Sequence, residues 1–531
     1  MKANQVRRLG NLYRRKTSPA HVISYELTKT ICRLSAEMRR QIGLLIDRRG
    51  RIAYVVVGNY QGIVIPNLDK YRTGGQRLKG LRCVHTHLKH EALSHDDLMD
   101  LTFLRLDLMA AITIGEDGNP ENVHVAHLLP QDTGKENWEV LSPVRPAELD
   151  LDCQRLVRSL ESEFASQLPV QKVKREGDRA IVVSVSTRPR KEAQASTQEL
   201  RQLAGTCGIT AVDTVIQRRR TVSPRFLMGK GKLSELVILA LQKGADLLIF
   251  DQELNPSQVR SITDCTDLRV IDRTQLILDI FAQRAQSREG KIQVELAQLK
   301  YLLPRLVGKG TAMSRLTGGI GGRGPGETKL EVDRRRVRKR IAQLEKLLKG
   351  IQKQRDQRRA KRRKKGLPIV SIVGYTNAGK STLLNTLTNS SVLVESKLFA
   401  TLDPTTRRKR LPKDAEIIIT DTVGFIRKLP QELVTAFRAT LEELGDADLL
   451  IHLIDLSNPD FPSQIESVER ILGELKLDRI PLVRVLNKKD RLAGAAVRGL
   501  SRRWGAVAIS SQDKDSLGPL LAQIEAHVGG T

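Results

Sequence analysis

A chain of 531 residues with 40% hydrophobic content has room for three or four domains with separate cores. Its net charge of +29 with only 3% aromatic residues points to a polyanionic partner and argues against base-stacking platforms, so backbone and shape contacts to folded RNA are expected. No apolar run reaches membrane-spanning length, the basic N-terminus lacks an apolar signal segment, and five scattered cysteines lack C-x-x-C spacing; a cytoplasmic monomer without a membrane span is expected.

Residues 1–145 read as a mixed α/β accessory domain, with strands at 43–50 and 52–57 around a turn. Its informative stretch is Cys83-Val-His85-Thr-His87, followed by Ser94-His-Asp-Asp97. An H-x-H at a strand end followed by S-x-x-D resembles the JAMM/MPN metalloprotease motif. That resemblance implies an MPN-like fold in which His85, His87 and Asp97 bind Zn²⁺ and leave one position for water. The gap from His87 to Ser94 is one residue shorter than in that family, and Leu88 stands where a proline is usual. Arg40 occupies the place of the general-base glutamate, with Glu37 three residues further back. Without a placed carboxylate, proton transfer to a leaving group lacks support. The alternative is an α/β domain with surface histidines.

Residues 146–178 read as a connector, with a helical stretch at 149–168 between prolines. From 179 to 285, strands at 180–185, 209–216, 246–250 and 268–271 alternate with helices at 198–204, 232–243 and 256–264. Such alternation predicts a small parallel α/β domain. Residues 217–220 and 229–232 then lie at one edge of its sheet, as nucleotide- or RNA-contacting loops or as solvated ones. The period changes at 286–358. Ile292, Leu296, Leu299 and Leu303 form one heptad-like seam; Leu330, Val337, Ile341, Leu344, Leu348 and Ile351 form another. Two helices packed antiparallel as a basic hairpin are expected. Its Gly-rich connector, 308–327, carries Lys309, Arg315 and Arg323, which suit an RNA crevice; a non-binding loop is the alternative. Residues 359–366 read as a basic linker.

The last stretch, 367–531, carries the chemistry. Gly374-Tyr375-Thr376-Asn377-Ala378-Gly379-Lys380-Ser381 matches G-x-x-x-x-G-K-[ST], between an apolar strand and a helix. Its glycines let backbone N–H groups turn toward phosphates at a helix N-terminus. Lys380 would reach the β- and γ-phosphates, and the Ser381 hydroxyl would ligate Mg²⁺. Asp421-Thr422-Val423-Gly424 ends a second apolar run, where Asp421 can hold Mg²⁺ through water and the Gly424 N–H can meet the γ-phosphate. Asn487-Lys488-Lys489-Asp490 ends a third. Asp490 can accept two N–H donors from guanine, a pair that adenine does not offer, so GTP and GDP are the expected nucleotides. Phe425 stands where related switches carry a water-orienting Gln, so slow intrinsic hydrolysis and an activator are expected.

Phe399-Ala400-Thr401-Leu402-Asp403 has the character of a switch loop. The set is similar to translation-factor-type GTPases, and "FATLD" with "DTVGF" resembles the HflX family. So do residues 270–285, 290–306 and 321–341, and the likeness spans about 185–531. The resemblance implies Thr401 as the second Mg²⁺ ligand; Thr405 is the alternative, and the residues alone do not choose. Ser510-Ser511-Gln512 would give the last guanine contact, with Ser511 where an alanine is usual. In similar GTPases an Asn at the place of Asn377 helps hold a monovalent cation in the transition state, so K⁺ is expected beside Lys380 and Gly424; a polar loop residue that holds no cation is the alternative. As a family property, binding to the large ribosomal subunit and its RNA, and splitting of stalled or idle ribosomes, is expected. A ribosome-assembly or RNA-remodelling GTPase and a GTPase-steered zinc hydrolase are the alternatives.

Overall fold

The structure is a computed structural model. It describes residues 1, 3–66, 68, 71, 77–129, 137–166, 178–266, 268–306, 329–363, 367–388, 399, 405–412, 415–422, 424–427 and 442–528, the side chains of 165–166, 264–265, 329–330, 354–363 and 442–443 excepted. The chain divides into two compact units. One comprises residues 1–197 and 208–272, the other 198–207 and 273–531.

The first unit opens with helices α1 (Ala3–Leu12) and α2 (Tyr25–Met38). Strands β1 (Ile42–Asp47), β2 (Ile52–Val57) and β3 (Leu81–His87) follow, then α3 (His95–Phe103), β4 (Leu108–Ile114), β5 (Pro120–Leu128) and β6 (Trp138–Val140). These strands form one sheet in the order β2-β1-β3-β4-β5-β6. β3 and β4 run parallel because α3 carries the chain back between them, while the other neighbours are antiparallel. Alternate residues face opposite sides of a strand, and here both sides are covered. Leu44, Val84 and Ala110 pack with Leu27, Ile31 and Leu34 of α2. Leu45, Cys83 and Met109 pack with Val157, Leu160 and Phe164 of α4 (Cys153–Ser166). β3 and β4 are therefore buried along their whole length, histidines included.

The same unit holds β7 (Arg179–Ser186), the start of α5 (Arg190–Thr206, whose residues from 198 belong to the second unit), β8 (Thr210–Arg218), α6 (Lys230–Lys243), β9 (Leu247–Phe250), α7 (Pro256–Cys265) and β10 (Arg269–Asp272). The sheet order is β10-β9-β7-β8, parallel throughout, as the alternation predicts. α5 starts at Arg190, ahead of the expected 198. Its first turns, Arg-Lys-Glu-Ala-Gln-Ala, are good helix formers without apolar periodicity, so the pattern alone passes over them.

In the second unit, α8 (Arg273–Arg284) and α9 (Arg288–Leu302) precede the long α10 (Lys329–Arg363). Ile292, Leu296 and Leu299 pack with Ile341, Leu344, Leu348 and Ile351, so these parts of the two expected seams meet. Two ion pairs flank them, Arg340–Glu295 and Lys300–Glu345, each at 2.7 Å. The Gly-rich connector lies outside the described residues. Residues 359–363, expected in a linker, continue α10: Arg, Lys and Ala favour helix, and the sequence offers no Gly or Pro between Gly350 and Gly366.

The remaining strands are β11 (Ile369–Gly374), β12 (Thr405–Arg410), β13 (Glu416–Asp421), β14 (Leu449–Asp455), β15 (Leu482–Asn487) and β16 (Val507–Ala508). They order as β12-β13-β11-β14-β15-β16, with only β12 antiparallel. Helices α11 (Lys380–Thr388), α12 (Phe461–Glu474), α13 (Gly494–Trp504) and α14 (Gly518–Val528) belong to the same part of the chain. In an open parallel sheet, ligands bind beyond the carboxyl ends of the strands. The carboxyl ends of β11, β13 and β15 carry the motif residues. Among the described residues, no helix is long and apolar enough to cross a membrane.

Candidate nucleotide site

The loop from β11 to α11 is held by its own backbone and by three neighbouring strands. Gly379 has φ +96, and a Cβ there would lie 2.4 Å from Asn487 Nδ2, so only glycine fits. Asn377 also adopts a left-handed φ of 64 and is exposed. Thr376 N–H donates to the Phe425 carbonyl at 2.8 Å, and Phe425 N–H to the Gly374 carbonyl at 3.1 Å. Phe425 is buried, so its role in the site is to tie Gly424 to the loop. A Cβ at Gly424 would come within 2.8 Å of Thr376 Cγ2 and 3.0 Å of Lys380 Nζ, which sets how closely that backbone approaches the lysine.

Lys380 is folded inward. Its Nζ donates to the carbonyls of Tyr375 at 2.9 Å and Gly374 at 3.2 Å. Burial lowers its pKa to about 8, with Asp421 acting in the opposite sense. The Ser381 hydroxyl donates to Asp421 Oδ2 at 2.6 Å, and Asp421 is fully buried. Thr422 Oγ1 donates to the Ile372 carbonyl. A first-turn hydroxyl paired with a strand-end carboxylate is a donor set suited to Mg²⁺, which takes one or two protein oxygens and keeps its waters.

The base-side motif divides its labour. Asn487 Nδ2 donates to the Ala378 carbonyl at 2.7 Å, and its Oδ1 accepts from the Ser511 N–H at 2.8 Å. Lys488 Nζ donates to the Asn377 carbonyl at 3.0 Å and pairs with Asp455 at 2.5 Å. Lys489 N–H donates to the Ile509 carbonyl. Asp490 remains exposed, and the Ser510 hydroxyl holds its carboxyl below the ordinary carboxylate value. Ser510 and Ser511 are buried beside it, and Gln512 is exposed.

Of the switch segment, Phe399 is described. It has φ 56 and packs on Phe281 of α8, ring centroids 4.7 Å apart. Ala400, Thr401, Leu402, Asp403 and Val423 lie outside the described residues. Thr405 begins β12 and pairs with Asp421. Sequence reasoning missed Glu199 of α5. It accepts from the Tyr375 hydroxyl at 2.9 Å and pairs with buried Arg273 at 3.1 Å. Burial, reinforced by that carboxylate, pushes the Tyr375 phenol far above its ordinary range. Nothing marks Glu199 locally; it is one charged residue in a charged helix. Asp455 was missed too, although its place at the end of an apolar strand was a usable signal.

Three family models match consecutive spans: "GTP-binding GTPase N-terminal" at residues 194–282, "GTP-binding GTPase Middle Region" at 284–362, and "50S ribosome-binding GTPase" at 369–488. The GTPase HflX of Caldanaerobacter subterraneus is 49% identical over 359 residues, covering 68% of this chain and 82% of the relative. The chain belongs to the HflX GTPase family. The HflX of Escherichia coli is 46% identical over 316 residues, 60% of this chain and 74% of that one. A GTP-binding protein from Sulfolobus solfataricus, solved with GDP, is 25% identical over 66% of this chain and 99% of its own, with a TM-score of 0.37. As an HflX GTPase the chain binds and hydrolyses GTP. None of the three matched spans reaches residues 1–193.

Proposed function

We propose that this GTPase acts on the large ribosomal subunit and splits or rescues stalled or idle ribosomes. The observation that carries the reading is the pairing of a phosphate loop and guanine-side motif with a long basic helix, in a chain matched by a family model described as a 50S ribosome-binding GTPase. Arg334–Arg340 place six basic residues in seven on α10, and such density seeks phosphate.

In this reading the backbone of residues 374–381 cradles the phosphates of GTP, and Lys380 moves from the Gly374 and Tyr375 carbonyls to the β- and γ-phosphate oxygens. Mg²⁺ supplies charge neutralisation at the phosphates. Ser381 and Thr401 would hold it, with Asp421 hydrogen-bonded to Ser381. The Gly424 N–H meets the γ-phosphate. Asp490 reads guanine, with Ser510, Ser511 and Gln512 closing the base pocket. Asn377 holds a K⁺ ion, and unchanged turnover after potassium is replaced by sodium would remove it. Phe399 on Phe281 gives the switch loop a seat on α8, so ordering of the loop is transmitted to the helices that follow.

The test is GTP turnover with and without purified large subunits, in potassium at moderate salt. Strong stimulation is expected, since Phe425 provides no group to orient water. Absence of stimulation removes the ribosome and leaves the GTPase. A second reading, an RNA-assembly factor in which GTP only licenses binding, is favoured by the same basic helix. Light scattering of intact ribosomes with the protein and GTP separates the two, because only the first lowers the signal.

A further inference from the structure

The first unit holds a second constellation of reactive side chains, on residues the GTPase reading does not use. β3 ends in His85 and His87, two residues apart, and the next helix begins at Ser94. Ring nitrogens of both histidines and the carboxylate of Asp97 lie within 4.8 Å of one another. His85 Nε2 is 2.8 Å from His87 Nε2 and 3.2 Å from Asp97 Oδ1, and His87 Nε2 is 3.5 Å from Asp97 Oδ2. His85 is fully buried, His87 nearly so, and the Asp97 side chain is 13% exposed.

These distances have a physical meaning. Three lone-pair donors facing one another repel unless a proton or a cation lies between them. A metal with bonds of about 2.0–2.1 Å holds tetrahedral donors roughly 3.3 Å apart, close to the 3.2 Å between His85 Nε2 and Asp97 Oδ1, and the three donors already lie within 4.8 Å of one another. The surroundings orient each donor. His87 Nδ1 bonds the Glu91 carbonyl at 3.0 Å, so in the neutral ring Nε2 carries the lone pair. Asp97 closes a capping box at the start of α3: its Oδ2 accepts from Ser94 N–H at 2.8 Å and Ser94 Oγ at 2.6 Å. That leaves Oδ1 turned toward His85.

We propose that His85, His87 and Asp97 form a mononuclear zinc site with the fourth position left to water or an exchangeable ligand. Two imidazoles and one carboxylate suit zinc, and three protein ligands are the count of reactive rather than structural sites. The proposal concerns the first unit, whereas residues 374–381, 421–424 and 487–490 belong to the second.

The experiment uses the full-length chain, freed of any histidine tag, dialysed against zinc and then against a weak chelator. Metal analysis should find stoichiometric zinc in the wild type and little in Asp97→Asn or His85→Gln. Ser94→Ala, which frees the carboxylate but keeps the three ligands, should weaken zinc about 10–100-fold. Cobalt substituted into the wild type should give the intense visible absorption of a four-coordinate ion, absent from Asp97→Asn. An unchanged circular dichroism spectrum and thermal unfolding curve for full-length Asp97→Asn certify that the variant is folded. Equal zinc in wild type and Asp97→Asn overturns the proposal, and so does a wild type without stoichiometric zinc. Stoichiometric iron in place of zinc overturns the choice of metal.

Discussion

The nucleotide site and the His85–His87–Asp97 triad are both built where a parallel strand ends and a helix follows, yet they use the chain in opposite ways. At residues 374–381 the backbone is the instrument. Gly379 and Gly424 are required because neighbouring atoms leave no room for a Cβ, and the side chains of Lys380 and Ser381 finish what the loop begins. In the triad the backbone only carries side chains to one point, and specificity rests on the register of β3 and the cap of α3. A backbone-built site must be nearly contiguous in sequence. A side-chain-built site need not be.

That contrast can be broken first at Lys380. If the loop backbone alone sufficed, Lys380→Ala would retain much of the turnover. We expect hydrolysis to fall by about 10²–10³-fold or more, the cost of one charged donor at the transferring phosphate. Steady-state phosphate release checks it. Near-normal turnover would mean that the inward-folded lysine never leaves the Gly374 and Tyr375 carbonyls.

A smaller effect tests whether the loop stands alone. Tyr375 is in the phosphate loop, but its hydroxyl is tied to Glu199, far away in sequence. Tyr375→Phe removes a hydrogen bond to a carboxylate, worth about 1.5–3 kcal/mol. Glu199→Gln does more, because it also removes the carboxylate charge paired with Arg273, which is 3% exposed. Thermal unfolding should show both variants destabilised, Glu199→Gln more so. Equal stability of Tyr375→Phe and wild type would show that α5 does not brace the loop.

These cases explain what was legible in the sequence. The nucleotide motifs could be read because each is a short run fixed to the end of an apolar strand. The parallel sheet around β7 followed from strands and helices alternating at regular spacing. The triad's members could be named from H-x-H and S-x-x-D, but their convergence depends on tertiary structure. Glu199 could not be found, since its role comes from a contact across more than 170 residues. The start of α5 was lost for a related reason: helix propensity without apolar periodicity leaves no stripe to detect. The boundary at 359 failed because a run of like charges reads as a linker, whereas arginine and lysine are good helix formers.

The smallest expected effect contrasts two buried histidines. His85 sits beside a carboxylate, whereas His452 in β14 sits under the phosphate loop near two cations. Burial lowers the His452 pKa to about 3, with Arg484 and Lys380 adding to the shift. An unfolded histidine titrates near 6.5. Between about pH 6.5 and 3 the unfolded chain therefore binds a proton that the folded chain refuses. Stability is lost as pH falls through that window and is unaffected above it. His452→Phe keeps the volume and deletes the proton site, so the variant should hold GDP to lower pH than the wild type, with no gain at pH 8. Release of a fluorescent GDP analogue during acid titration reports on this part of the molecule directly. Superimposable acid limbs would mean that His452 is solvated before the site opens, and that the cations beside it do not set the acid limit of the nucleotide fold.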